Sequence, residues 1–223
     1  MAVVAGFGGG AHPNASRYCM ANRRLVNQRR ILDGASHILE TGSWGGFTVD
    51  SLAQYLKMSK STLYRCFVSK EAVVNMLVGE ICTRVDGQYL RIAQDASSPA
   101  PVEFERFVDA YAAFCEDLPR TVITDRGVLP ADTRARLMVT RIHLDNVCSR
   151  ILRLGRAQGQ LRVDDPTVVA AGIVAALEAV AEFTARRDGM RSRSEPVRAV
   201  AGVFLNGLSD LSSAPARRSY GAR

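Results

Sequence analysis

Histidine is scarce and scattered: three residues in 223, one of them within the first dozen positions. The five cysteines, at 19, 66, 82, 115 and 148, are odd in number and show no CxxC spacing. These two shortages argue against a His/Cys metal site and a disulfide framework. They predict reduced thiols in a cytoplasmic chain, with no metal and no cofactor. Cys115 and Cys148 are expected as small buried apolar residues, with a redox sensor as the alternative.

Long apolar runs are missing too. None approaches the ~20 residues that span a bilayer, and the longest, "VVAAGIVAALEAVAEF", carries glutamates, so no membrane partner is expected. The opening "MAVVAGFGGGAHPNAS" lacks the basic start and compact apolar stretch of a signal peptide. Residues 1–22 read as a flexible extension rich in Gly and Ala. Nor does any segment alternate with the period of two that marks a strand. No nucleophile–base pair, paired carboxylates or ligand cluster stands out, so no catalytic residue is nominated. A helical-bundle enzyme remains only as an alternative without a constellation to support it.

What is present is charge of uneven distribution and helical periodicity. Residues 1–85 hold ten Lys/Arg against five Asp/Glu, residues 86–185 eleven against fourteen, and residues 186–223 eight against three. A basic N-terminal part on a mildly acidic middle fits a polyanion partner, or a merely solubilising surface. From residue 24 onward apolar residues recur at helical spacing, as in Ile31, Leu32, Ala35, Ile38 and Leu39. The run should stop at the glycines of "TGSWGG". Thr48, Ser59 and Ser69 then stand as caps for a second, a third and a long fourth helix.

"SSPAP" at 97–101 interrupts the pattern, since proline is excluded from helix interiors. Beyond it a helix carries Phe104, Phe107, Val108, Tyr111 and Phe114, and "LPRTVITDRGVLPAD" reads as a loop with room for one helical turn. A long helix follows over 132–157, then one begun by Asp165-Pro166, then a last one over about 194–211. The class is all-α. The organisation is an extension (1–22), a head (23–70), a helical body (71–212) and a disordered tail (213–223).

One stretch concentrates hydrogen-bond donors. "MSKSTLYRCFVSKEAV", from Met58 to Val73, sets Lys60, Arg65 and Lys70 among Ser59, Ser61, Thr62 and Tyr64, with Leu63 and Phe67 spaced for burial. With the preceding helix it has the dimensions of a helix-turn-helix, whose second helix offers its first residues to base edges in the major groove. Lys60, Ser61 and Thr62 would reach bases. Thr48 at one helix start, Lys70 at another, and Tyr64 would hold phosphates, and Arg65 suits either role. An ordinary α-hairpin with water-facing polar residues is the competing interpretation.

The run from Arg29 to Val78 resembles the DNA-binding domain of the TetR (tetracycline repressor) family. The most specific part is "SKSTLYRCFVSKEAV", supported by "FTV" before the second helix and by "GRAQGQLRVDDPTVVAA" later in the chain. The resemblance implies a homodimeric repressor with a three-helix DNA-binding head and a helical body for ligand binding and dimerisation. It implies phosphate contacts at Thr48, Tyr64 and Lys70, and a recognition-helix start at Ser59, Lys60, Ser61 and Thr62. Three residues depart from the pattern. Lys57 stands at a customary turn glycine, Ser61 at a position where glycine or another small residue is common, and Cys66 at a frequent His or Tyr. The last two put the DNA sequence read by the head in question.

The expected partners are therefore double-stranded operator DNA, a second copy joined through the last two helices, and a small-molecule effector. A DNA-binding dimer without an effector is the alternative, and the last two helices serving only as monomer core is another. Candidates for an effector pocket are Phe104, Phe107, Tyr111 and Phe114 on one helix and Met138, His143 and Asn146 on the next, although an aromatic stripe also suits a plain core. Glu178, a carboxylate in an apolar helix, needs a partner if buried: an arginine across the dimer or a cationic effector.

Overall fold

The computed structural model describes residues 13–95, 97–187 and 192–209. Among them nine α-helices occur and no strand. These are α1 (Pro13–Thr41), α2 (Val49–Leu56), α3 (Lys60–Cys66), α4 (Lys70–Gln94), α5 (Ala100–Asp117), α6 (Arg120–Thr124), α7 (Ala131–Ala157), α8 (Pro166–Ala185) and α9 (Ser194–Ser209), with a single 3-10 turn at Arg126–Val128.

The expected caps are where side-chain chemistry puts them. Thr48 and Ser51 form a reciprocal capping box at α2, Ser59 accepts the Thr62 amide at α3, and Ser69 accepts the Ala72 amide at α4. Asp165 takes the Thr167 and Val168 amides ahead of Pro166 at the start of α8. Each such bond satisfies an amide that the helix itself leaves open.

Three elements differ from the sequence reading. α1 begins at Pro13 rather than near residue 24, so residues 13–22 of the expected extension are helical. Pro101 sits inside α5, within its first turn, where no amide is required of it. "LPRTVITDRGVLPAD" folds into α6 and the 3-10 turn, held by buried Val122 and Ile123. Residues 1–12 of the expected extension and the expected tail at 213–223 lie outside the described residues.

Head and body meet along α4, which packs on α1 of the head and on α5 and α7 of the body. Ile31, Leu39, Phe47 and Val74 are sealed in the head, while Tyr89, Phe104, Phe107, Ile151, Ile173 and Leu177 fill the body. Gly155 marks where α5, α7 and the chain at Leu161 crowd together. A Cβ there would lie 2.5 Å from a Leu161 methyl and 2.9 Å from the Ala100 Cβ, so no side chain fits without displacement.

A second junction is polar. Arg193, just before α9, donates to Glu40 of α1 (2.7 Å) and to the carbonyls of Cys115, Glu116 and Leu118 at the end of α5. Glu40 also accepts the Arg120 amide, and Thr121 donates to the Gly42 carbonyl. The last turn of α1 is thereby bonded to both α6 and the segment that begins α9.

The turn between α2 and α3 holds the single non-glycine residue with positive φ among those described, Lys57 at φ 51 and ψ 43. Its amide and that of Met58 return to the Gln54 and Ala53 carbonyls and close α2 in the left-handed manner that glycine favours. Replacing Lys57 with Gly is expected to relieve about 1 kcal/mol of conformational cost, part of it offset by the freer unfolded chain. The expected net rise in melting temperature is ~1–3 °C. An unchanged or lower Tm would mean that the lysine side chain compensates for its backbone.

Candidate nucleic-acid interface

The eight residues singled out for DNA lie on one end of the head. Leu63 and Phe67 are buried and fasten α3 to a crevice shared with Ile31, Val49, Leu52 and Val73. That anchoring turns the opposite side of the short helix outward. Ser59, Lys60, Ser61, Tyr64 and Arg65 are exposed, and Thr62 is half-buried.

Hydroxyls at the start of α3 are linked to one another. The Ser59 Oγ lies 2.9 Å from both the Ser61 Oγ and the Thr62 Oγ1, and Arg65 donates to Thr62 at 3.1 Å. Hydroxyl hydrogens rotate freely, so this cluster can re-aim donors and acceptors toward a base edge without moving backbone. Lys60 is paired with Asp50 of α2 at 2.5 Å, and that carboxylate holds its ammonium above the usual lysine pKa. Both groups are largely exposed, so the pair is a weak contact that a competing acceptor can displace.

Tyr64 is 55% exposed, on the outward side of the same helix. Lys70 begins α4 and is half-buried. Its Nζ donates to the Phe47 carbonyl at 3.2 Å and sits 4.5 Å from the centre of the Trp44 ring. Thr48 is exposed, but its hydroxyl already serves the capping box. Three helix starts therefore belong to this end of the head, at Thr48, Ser59 and Ser69, each with backbone amides and a positive dipole end. Cys66 is half-buried and packs against the core at the end of α3, so it acts as filler on the inward side.

Two contributors escape sequence reasoning: Trp44, which holds Lys70, and Asp50, which holds Lys60. Trp44 is the only tryptophan in the chain, yet the glycines around it read merely as a helix stop. Asp50 sits in the first turn of α2, where an acid is expected for the helix alone.

The effector candidates are not brought together. Phe104, Phe107, Tyr111 and Phe114 are buried and pack among themselves and on Tyr89, with ring centres 5.8–6.2 Å apart. Met138 and Asn146 lie on the outer side of α7, with Met138 63% exposed. His143 is also exposed and bonded to Asp86 of α4 at 3.0 Å. The reason is helical spacing: Leu144, Cys148 and Ile151 take the inner face, so 138 and 146 must face out. Glu178 has partners within its own chain, Arg141 and Arg126, in place of the expected arginine across a dimer or cationic effector.

The interior of the body nevertheless has an unusual polar spot. The Tyr89 hydroxyl is buried with no hydrogen-bond partner among the described residues, and burial pushes its pKa and that of Tyr111 well above the usual phenol value. The Cys115 and Cys148 thiols nearby are pushed up to about 12 by the same burial, which leaves them as unreactive thiols at neutral pH. Among the described residues no group of three His, Cys, Asp or Glu is arranged to hold a metal ion.

Residues 31–77 match the family model for bacterial regulatory proteins of the tetR family, and residues 103–208 match that for the tetracyclin repressor-like C-terminal domain. No curated protein matches the chain. Among solved structures, the fold is similar to PfmR, a TetR family transcriptional regulator from Thermus thermophilus. The two are 24% identical, with a TM-score of 0.65 over 79% of this chain and 97% of that one. It is also similar to the MbdR regulator from Azoarcus sp. CIB (20% identity, TM-score 0.69, 81% and 97% covered). A third is AibR in complex with isovaleryl coenzyme A and operator DNA (18% identity, TM-score 0.60, 82% and 97% covered). At these identities the solved structures carry the fold, while the two family models span more than half of the chain and carry its membership. The chain belongs to the TetR family of DNA-binding transcriptional regulators, proteins that are typically not enzymes, and its DNA-binding unit is the head built on α2 and α3.

Proposed function

We propose that this regulator is a repressor that binds a palindromic operator as a homodimer and leaves it when a small molecule binds the body. The observation that carries the dimer is the outer face of α8. By length and composition α8 is apolar enough to cross a membrane, yet only 39% of its most apolar window is buried within the chain. Val168, Gly172, Ala175, Ala179 and Phe183 recur along its exposed side at steps of three and four. On α9, Ala199, Val203 and Gly207 do the same. α8 and α9 pack on each other, and two such pairs brought together about a two-fold axis would bury both stripes.

A dimer presents two copies of α3, which suits half-sites about one DNA turn (~34 Å) apart. Release by an effector is supported by the course of α4, which runs unbroken from Lys70 in the head to Gln94 in the body. Anything that alters packing around Tyr89, on α4, also acts on the helix that carries the head. AibR was solved with both a coenzyme A ester and operator DNA, which accords with this reading. An effector shifts the equilibrium only by its differential affinity for the two states.

The test is footprinting on the DNA beside the protein's own gene, with and without candidate compounds. Protection that compounds relieve is the expected result. Protection that no compound affects, together with no ligand-induced rise in Tm across a compound screen, would favour a DNA-binding dimer without an effector.

Within the head, replacing Tyr64 with Phe or Lys70 with Ala is expected to weaken binding to all sequences, and losing the Lys70 charge to flatten its salt dependence by roughly 0.9. Replacing Lys60 or Thr62 with Ala is expected to relax discrimination by ~1–3 kcal/mol for a lost base contact. A changed sequence preference in the first pair, or full discrimination in the second, would reverse those assignments.

A further inference from the structure

We propose that Asp50 is a specificity-determining residue of the head, which holds Lys60 on base edges and away from the phosphate backbone. This role rests on the assignment of Lys60 to bases and goes beyond it, to an acid on a surface built for a polyanion.

From Gly42 to Lys70, the segment that holds α2 and α3, the chain carries Lys57, Lys60, Arg65 and Lys70 against a single acid, Asp50. A carboxylate here is repelled by every phosphate that approaches, so it lowers affinity for DNA of any sequence. Helix chemistry alone gives a modest return for that cost. An acid in the first turn complements the α2 dipole, but the helix start is already closed by the reciprocal bonds of Thr48 and Ser51. What sets Asp50 apart is its partner. Its Oδ1 lies 2.5 Å from the Lys60 Nζ, across the turn from one helix of the motif to the other.

Lysine is a point charge on a flexible stem. Left free at the start of α3, it swings to whichever phosphate lies nearest, and such a contact carries no sequence information. The ammonium has three donors. With one on Asp50, two remain, and guanine presents two acceptors, O6 and N7, side by side in the major groove. A phosphate contact instead pulls the ammonium off Asp50 and leaves that carboxylate unpaired beside the backbone.

The pair is weak while water surrounds it, and it gains strength once DNA covers it and the water leaves. Asp50 thereby adds a penalty that wrong contacts incur and the right one escapes, which is how specificity arises as a difference of affinities. Arg65, the other cation of α3, is tethered as well, to the Thr62 hydroxyl at 3.1 Å. Both charges of the reading helix are thus held in place by neighbours on the protein.

The experiment uses the full chain and a pool of randomised duplexes long enough for two half-sites. The duplex most enriched by the wild type and the unselected pool then serve as probes, across a salt series. Five proteins are compared: wild type, Asp50→Asn, Asp50→Glu, Lys60→Ala and the double variant Asp50→Asn/Lys60→Ala. Asp50→Asn is expected to bind the pool roughly 3–10-fold more tightly, with a salt slope steeper by about 1 per head. It should bind the enriched duplex no more tightly, so discrimination between the probes falls by roughly 3–30-fold. Asp50→Glu, whose carboxylate still reaches Lys60, should retain most of the discrimination. In the Lys60→Ala background Asp50→Asn should cost no further discrimination, because the two residues act as a unit. Both Asp50 substitutions are exposed at a capped helix start, so melting temperatures should stay within about 3 °C of wild type. If Asp50→Asn tightened binding equally to both probes, with or without Lys60, the carboxylate would be a repulsive charge alone. The positioning role would then fall and Lys60 would remain a reader. Full discrimination by Lys60→Ala would remove the base contact itself, and the role of Asp50 with it.

Discussion

Replacing Arg150 with Ala is expected to lower the melting temperature by about 10 °C, from a loss of roughly 3–5 kcal/mol. Glu103 on α5 is completely buried, and Arg150 on α7 supplies its ionic contact, at 2.8 Å to Oε2. The other oxygen, Oε1, has no hydrogen-bond partner among the described residues. The same guanidinium donates to the Ile92 and Asp95 carbonyls, which end α4. Deleting it leaves a buried carboxylate uncompensated and the last turn of α4 open, and both penalties fall in an apolar interior. Restoring only neutrality, with Glu103→Gln added to Arg150→Ala, should recover a large part of the loss. Converting both residues to Leu should approach wild-type stability, because a buried ion pair is rarely worth more than the apolar packing it displaces. Calorimetry or thermal CD on the four proteins decides this. A single variant that melts within a degree or two of wild type would show that solvent reaches Glu103.

This clamp also bears on the proposed release by an effector. α4 is fixed at its C-terminal end by Arg150, whereas farther toward the head it meets α7 through polar contacts such as His143 to Asp86 and Thr133 to Asn75. Glu40 gives the head a second tie to the body through Arg193 and the Arg120 amide. A rearrangement of the body thus has two routes to the recognition helix. One runs along α4 from its clamped end. The other runs through α1 from its C-terminal turn.

Caps are legible in the sequence because the physics that sets them is local. Thr48, Ser59, Ser69 and Asp165 each bond an amide two or three residues away, so nothing distant is needed to foresee them. The special backbone at Lys57 is foreseeable for a related reason, since it stands where a turn glycine is customary. The start of α1 is not legible, because the run from 13 to 22 carries only scattered small and apolar residues and no stripe whose period could be read. The pocket candidates on α7 fail for a different reason. His143, Met138 and Asn146 are chemically interesting neighbours of a buried stripe, but Leu144, Cys148 and Ile151 already fill the inner face. Glu178 announces its need for a cation, yet Arg141 and Arg126 come from other elements, and only tertiary structure brings them near. Lys60 is the instructive middle case: its place at the start of α3 is plain, while its pairing with Asp50 depends on the angle between two helices.

Ala175→Arg is expected to convert a dimer into a folded monomer and to cut operator affinity by a factor of about 10²–10⁴. In the isolated chain Ala175 is exposed at the middle of the α8 stripe, and its neighbour Gly172 has no atom within 4 Å of where a Cβ would stand. A longer side chain therefore meets open space on its own chain, and arginine is a good helix former, so Tm should change little at concentrations where the wild type is also monomeric. Across the two-fold axis of the proposed dimer the same substitution sets two like charges against small apolar residues. Desolvation costs several kcal/mol per ion, enough to dissolve an interface made of Val, Ala and Gly. A lone head then loses the second half-site, whose binding is intramolecular only while the dimer holds. Sedimentation velocity reads the assembly, and a mobility shift on the footprinted operator reads the binding. Ala179→Arg, on the same stripe, should repeat the result, whereas Thr167→Arg, at the start of α8 and also exposed, should not. A variant that sediments as a dimer would move the interface off α8. A monomer with undiminished operator affinity would remove the need for two heads.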